Sequence, residues 1–145
     1  VGKPGAGGRT ERLLGHLGIA ERVRFVSGVS TGQLVAHYAE ATLAVVPSLY
    51  EGFGLPAGEA MACAVPVVST DGGALPEVVG EAGVLVPAGQ VEALAQAIAG
   101  LLEDPARRAQ LGAAGRARIV ERFSWEVCAR EVSRYYERVL AGADG

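Results

Sequence analysis

Two glutamates in the middle of the chain, Glu51 and Glu59, bracket a turn that contains Gly52 and Gly54. Carboxylates can accept hydrogen bonds from a vicinal diol, such as a ribose, or from the hydroxyls of another sugar. The glycines let the backbone approach a ligand closely, and Pro56 suits a helix start because it lacks an N–H group. The free amides and the dipole of such a helix start favour an anion such as a diphosphate. Two glutamates at this spacing are common by chance, so the surrounding elements decide the interpretation.

The elements around the two glutamates alternate between strand and helix. The apolar run at residues 42–47 predicts a buried strand of a parallel sheet, and a helix is expected to begin near Leu55, with Glu59 in its first turn. A second strand near Val65 and a second turn at Gly72 and Gly73 follow. Ligands of an open parallel sheet bind outside the carboxyl ends of the strands, so the predicted site lies at these turns.

The rest of the chain continues this alternation and ends in three helices. Ser30 and Gln33 have the spacing of a capping box, and Ser124 is a good N-cap for the last helix. The other predicted elements are helices at residues 9–17 and 31–41, strands at residues 23–26 and 83–86, and helices beginning near Val91 and Asp104. The predicted fold class is α/β, a Rossmann-like parallel sheet flanked by helices, with extra C-terminal helices.

The segment from Pro47-Ser48 through Glu51 and Glu59 to Val65-Pro66-Val67-Val68 resembles the retaining glycosyltransferases of family 4, which have the GT-B fold. The resemblance runs from about Val1 to Leu140, nearly the whole chain. One departure is Ala64, where the family usually has glycine, and we expect this change to affect only how the preceding helix ends.

The resemblance implies that residues 1–145 form a single donor-binding domain, the C-terminal half of a GT-B fold. The chain begins without Met, so we expect it to be truncated at its N-terminal edge, with the acceptor domain absent. Residues 1–5 have the pattern of the tail of a strand and its loop, and Lys3 is expected to be solvated. Such a chain should bind a UDP-, GDP- or ADP-sugar weakly and transfer nothing by itself.

The resemblance also assigns roles to individual residues. Glu51 would orient the donor sugar, and it is the candidate catalytic residue; Glu59 would bind the ribose. Main-chain groups around Arg24 and Val26 would read the nucleobase, although Arg24 is equally compatible with an ordinary surface position. The turn that would hold the sugar and the diphosphate comprises Gly52, Phe53, Gly54 and Leu55.

Two alternatives stay open at the level of sequence. Gly52, Gly54 and Ala57 match a relaxed dinucleotide-binding fingerprint, and Asp71 follows the next strand, as in an NAD-dependent oxidoreductase. Against this, residues 48–51 separate the turn from its strand, and Glu51 would place negative charge beside a pyrophosphate. The second alternative is a non-catalytic donor-binding subunit that assembles with a separate acceptor-binding chain.

Composition limits the other possibilities. A formal net charge of -3 argues against broad nucleic-acid binding, and half of the residues are hydrophobic, as in a cytoplasmic α/β domain. The resemblance implies a metal-independent enzyme with a nucleotide-sugar as substrate, so no metal or cofactor is expected; His16 and His37, each alone on a predicted helix, form no ligand cluster. Cys63 and Cys128 are expected to be buried free thiols. Five arginines between positions 107 and 122 are compatible with peripheral membrane contact, although interleaved acidic residues favour a solvated face.

The last helix places apolar side chains on one stripe that must be buried somewhere: Trp125, Cys128, Val132, Tyr135 and Val139. The resemblance implies that this helix crosses back to the missing N-terminal domain. We therefore expect the chain alone to expose apolar surface there.

Overall fold

The computed structural model describes residues 8–143. The predictions for residues 1–5, including Lys3, lie outside this range. The chain divides into two compact units, one ending at Ala36 and one beginning at His37.

The first unit contains two helical segments and the start of a third. Helix α1 spans Arg9–His16, a single 3₁₀ turn spans Ala20–Arg22, and helix α2 spans Thr31–Glu40. The capping box that precedes α2 is confirmed: Ser30 Oγ accepts a hydrogen bond from the Gln33 amide at 3.3 Å, and Gln33 Oε1 accepts one from the Ser30 amide at 2.8 Å.

The prediction of a strand at residues 23–26 is wrong, because these residues have no regular secondary structure. Val23 is extended, but no described residue pairs with this segment in a sheet. Alternating apolar residues favour an extended backbone, whereas a strand also requires a neighbour that completes its hydrogen bonds. The segment is therefore part of an irregular connection between the 3₁₀ turn and α2.

The second unit is built on a parallel sheet in the order β1-β2-β3. The strands span Ala44–Val46, Val67–Thr70 and Val84–Val86. Helix α3 (Leu55–Ala62) connects β1 to β2, and helix α4 (Leu75–Val79) with a 3₁₀ turn (Gly80–Ala82) connects β2 to β3. All four residues of β2 are buried, as expected of the central strand of a sheet covered on both faces. The predicted Rossmann-like parallel sheet with flanking helices is confirmed.

The core of this unit forms two clusters of buried side chains. One joins β1 and β2 to α3 and α4, and Met61 and Leu75 are its largest fully buried members. The other packs Val68 against Leu101 and Leu111. These last two side chains belong to the long helices α5 (Val91–Glu103) and α6 (Pro105–Phe123), which secure the sheet.

The chain ends in helix α7 (Trp125–Ala143), as predicted. Ser124 caps it, because Ser124 Oγ accepts a hydrogen bond from the Val127 amide at 3.3 Å. The apolar stripe on α7 is exposed: Trp125 is 88% exposed and Val132 is 53% exposed. Cys128 is exposed too, so its predicted burial is wrong, while Cys63 is half-buried. Cys128 is exposed because it lies on the apolar stripe of α7, which is itself exposed.

Ala64 leaves the end of α3 intact, contrary to the prediction, but adopts an unusual backbone conformation. It has a φ of 59° and is the sole non-glycine residue with positive φ among residues 8–143. The Val65 amide donates to the Ala60 carbonyl at 3.0 Å and the Ala64 amide to the Met61 carbonyl at 2.9 Å. These two bonds form a Schellman motif, whose left-handed position glycine occupies without strain. Helix termination is therefore kept at the cost of placing a side chain in a left-handed conformation.

Within residues 8–143, every helix is too short or too polar to cross a lipid bilayer.

Candidate functional site

Three loops follow the carboxyl ends of the parallel strands, at residues 47–54, 71–74 and 87–90. This edge of an open parallel sheet is where ligands bind. A cleft of about 210 Å³ opens here between the loops and the start of α5, with Leu49, Thr70 and Gln90 in its wall.

The first loop is fixed by the second. Thr70 Oγ1 donates a hydrogen bond to the Ser48 carbonyl, and the Ala74 amide donates to the Glu51 carbonyl at 2.9 Å. Gly73 has a φ of 65°, and a Cβ atom there would overlap the Glu51 carbonyl oxygen. Only glycine fits this position, so the second glycine turn serves to support the loop that carries Glu51.

Glu51 is itself oriented from within the loop. Its side chain is half-buried, and Ser48 Oγ donates a hydrogen bond to Glu51 Oε1 at 2.7 Å. No described residue bonds the second carboxylate oxygen. That oxygen is available as an acceptor at the edge of the sheet.

Free amides lie directly after Glu51, at the start of α3. The N–H groups of Phe53, Gly54 and Leu55 have no acceptor among residues 8–143, whereas Ala57 and Gly58 both donate to the Gly54 carbonyl. Unsatisfied amides at a helix N-terminus attract anionic groups.

The two glycines of this turn differ in what they contribute. Gly54 has a φ of 89°, and a Cβ atom there would lie 2.7 Å from Leu75 Cδ2. Gly52 has no positive φ and no atom within 4 Å of an added Cβ. The backbone therefore requires glycine at position 54, while at position 52 a side chain would project into open space.

The turn is anchored by the ring of Phe53. Its centroid lies 5.8 Å from that of Phe123 in an edge-to-face arrangement. Arg118 lies over the Phe123 ring and donates hydrogen bonds to the carbonyls of Val78 at 2.8 Å and Glu77 at 2.6 Å. The end of α6 thus supports both the turn and the end of α4.

Glu59 lies in the second turn of α3, not in the first as predicted, because it is the fifth residue of a helix that begins at Leu55. Its exposed carboxylate accepts a hydrogen bond through Oε2 from the Tyr38 hydroxyl at 3.1 Å. Burial, together with the negative charge of Glu59, raises the pKa of Tyr38 to about 12. No local sequence pattern indicates this contact, since 21 positions separate the two residues.

Arg24 and Val26 belong to the first unit. Arg24 is exposed and Val26 is half-buried in the connection before α2. Their assignment to the nucleobase stays a prediction.

Two other acidic residues near the edge have structural roles. Asp71 Oδ1 accepts a hydrogen bond from the Ala88 amide at 2.8 Å, which holds the loop after β3. Glu77 lies in the first turn of α4, as expected of a helix-start carboxylate. No group of three or more His, Cys, Asp or Glu side chains within the described range could hold a metal ion. His16 is exposed and His37 is half-buried.

Residues 1–118 match the family described as Glycosyl transferases group 1, and the chain belongs to this family.

Relatives of known activity support this assignment. The chain is 45% identical over 137 residues to the MMP alpha-(1->4)-mannosyltransferase of Mycolicibacterium hassiacum, covering 92% of the chain and 33% of that protein. It is 41% identical over 115 residues to the O-antigen chain mannosyltransferase B of Escherichia coli, covering 79% of the chain and 30% of that protein. The chain therefore spans about a third of the length of these relatives.

Solved structures show the same fold. Sucrose-phosphate synthase from Thermosynechococcus elongatus superposes with a TM-score of 0.83 at 40% identity, over 92% of this chain and 34% of that one. The Anabaena protein HepE in complex with UDP superposes with a TM-score of 0.80 at 26% identity, over 89% of this chain and 36% of that one. These neighbours are GT-B glycosyltransferases, and the expected GT-B fold is confirmed. Membership of a glycosyl transferase family leaves the NAD-dependent oxidoreductase alternative without support.

Proposed function

We propose that this chain is the donor-binding half of a retaining glycosyltransferase of family 4, and that it binds a UDP-, GDP- or ADP-sugar. The observation that carries the proposal is the set of free amides at Phe53, Gly54 and Leu55, placed between Glu51 and Glu59 at the ligand-binding edge of the sheet. The complexes of HepE with UDP and with UDP-glucose support a nucleotide-sugar as the ligand class.

The diphosphate of the donor would be bound by the free amides. A retaining transfer passes through an oxocarbenium-like transition state, in which the diphosphate departs with growing negative charge. Amides that have no acceptor of their own can stabilise this charge without breaking another hydrogen bond. Gly54 allows the turn that exposes these amides, and the contact of Phe53 with Phe123 fixes its position.

Glu51 would orient the donor sugar. Ser48 holds one of its carboxylate oxygens at 2.7 Å, so the other can accept a hydrogen bond from a sugar hydroxyl. In this proposal Glu51 forms no covalent intermediate, and no second carboxylate takes the acid role of a hydrolase. Glu59 would bind the ribose diol, while the main chain around Arg24 and Val26 would contact the base.

The acceptor would be selected by a domain outside these 145 residues, on the same chain or on a separate one. The relatives are about three times as long as the aligned region, which leaves room for such a domain in proteins of this family. The exposed apolar stripe of α7, with Trp125 at 88% exposure, is the surface we assign to contact with it.

The proposal is tested by calorimetric titration of the protein with UDP-, GDP- and ADP-sugars and with NAD. One nucleotide-sugar is expected to bind, and Glu59→Ala is expected to weaken its binding by about 1–3 kcal/mol, the scale for a lost hydrogen bond to a charged group. Glu103→Ala, which removes an exposed carboxylate from the end of α5, is the matched control and should leave binding unchanged. Binding of NAD alone, with no nucleotide-sugar recognised, would overturn the proposal.

A further inference from the structure

Tyr38 and Glu59 form a contact that the proposed donor site does not by itself explain. The Tyr38 hydroxyl lies 3.1 Å from Glu59 Oε2 and 3.3 Å from the Pro56 carbonyl oxygen. A phenol has a single hydrogen to donate, and a carboxylate is a stronger acceptor than a neutral carbonyl. The hydroxyl is therefore directed mainly at Glu59.

The two partners differ in how firmly they are held. The Tyr38 ring is half-buried and packs against the core cluster that includes Val46 and Met61. The Glu59 side chain is exposed on α3, and Tyr38 is its hydrogen-bond partner in the structure. A fixed donor that contacts a mobile carboxylate restricts the rotamers of that carboxylate. The hydrogen bond from Tyr38 thus favours one position of the Glu59 carboxylate before any ligand binds.

We propose that Tyr38 is a positioning residue for nucleotide recognition: it holds Oε2 of Glu59, so that Oε1 is presented to the ribose diol. The inference rests on the proposed function, because it assumes that Glu59 binds the ribose. It adds a specificity element, since a carboxylate oriented in advance recognises the diol at a lower entropic cost than a freely rotating one. Tyr38 is therefore needed for the protein to distinguish a ribonucleotide from an analogue without the diol.

The test measures this discrimination directly. UDP, GDP and ADP are titrated calorimetrically against the protein, and the tightest binder is compared with its 2′,3′-dideoxy counterpart. Tyr38→Phe removes the hydroxyl and keeps the ring. It is expected to weaken binding of the ribonucleotide by about tenfold and to leave the dideoxynucleotide almost unchanged, so the ratio of the two affinities falls toward one. In a Glu59→Ala background the same substitution should have no further effect.

Tyr136→Phe is the matched control, because it removes a phenol hydroxyl from the exposed surface of α7, where Tyr136 is 62% exposed. It should leave both affinities unchanged. A thermal unfolding curve for each variant checks that the fold is intact.

Three results would overturn the inference. Equal weakening of both nucleotides by Tyr38→Phe, or no weakening at all, would reduce Tyr38 to a core residue while leaving the proposed function in place. Equal affinity of the unchanged protein for the two nucleotides would remove diol recognition and with it the role of Tyr38. If the unchanged protein bound neither these nucleotides nor a nucleotide-sugar, the proposed function would fail as well.

Discussion

At the scale of single residues, the Cβ atom of Ala64 strains the backbone where α3 ends. Its φ of 59° lies in the left-handed region, which glycine occupies freely and alanine does not. The Schellman bonds that close α3 hold the residue in this conformation, so it cannot relax without losing them.

We therefore expect Ala64→Gly to stabilise the protein by about 0.5–1 kcal/mol, because relief of the strain exceeds the added entropy of the unfolded chain. Urea unfolding measures the change in the free energy of unfolding. Ala113→Gly, at an exposed position inside α6, is the control and should lower that free energy by about 1 kcal/mol. A destabilised Ala64→Gly protein would show that the left-handed conformation carries no net strain.

At the level of elements, α6 holds the site together through close contact with α3. Gly112 and Gly115 are buried on α6, and a Cβ atom at position 115 would lie 3.3 Å from Met61 Cγ. A Cβ atom at position 112 would overlap the Ala64 carbonyl oxygen. Glycine thus allows the backbone of α6 to approach the end of α3, whose other end carries the candidate site.

Gly112→Ala should consequently destabilise the protein by about 1–3 kcal/mol, since backbone rather than a flexible side chain occupies the space. Gly100→Ala is the matched control, because Gly100 also lies within a helix but has no atom within 4 Å of an added Cβ. That substitution should stabilise the protein by about 0.5–1 kcal/mol through helix propensity. Urea unfolding measures the change in the free energy of unfolding for both variants. Similar effects of the two substitutions would contradict the packing argument.

The same elements show what sequence reasoning can reach. Local signals predicted the helix starts at Ser30 and Ser124 and the helix that begins at Leu55, because caps and turns act over three or four residues. The strand at residues 23–26 was wrong, since pairing depends on a neighbour that a local pattern does not reveal. The hydrogen bond from Tyr38 to Glu59 could not be predicted for the same reason, since it joins residues that lie 21 positions apart in the sequence.

At the scale of the whole molecule, helix α7 carries apolar side chains that stay largely exposed within residues 8–143. Trp125, Val132 and Val139 recur at seven-residue intervals on α7 and are 88%, 53% and 50% exposed. Large exposed apolar patches mark interaction surfaces or sites of association. We assign this apolar stripe of α7 to contact with a second domain. Without that domain, the stripe should be buried by contact with another copy of the chain.

We expect the 145-residue chain alone to self-associate through α7 as its concentration rises, because association removes this apolar stripe from water. Val132→Lys combined with Val139→Lys should shift the sedimentation velocity profile to the monomer, since two charges would have to be buried to keep the contact. Leu102→Lys combined with Val120→Lys is the control, because these side chains are 51% and 57% exposed on α5 and α6 and should not affect association. If the control pair abolished association and the α7 pair did not, another surface would be responsible, and the assignment of α7 to a second domain would lose its support.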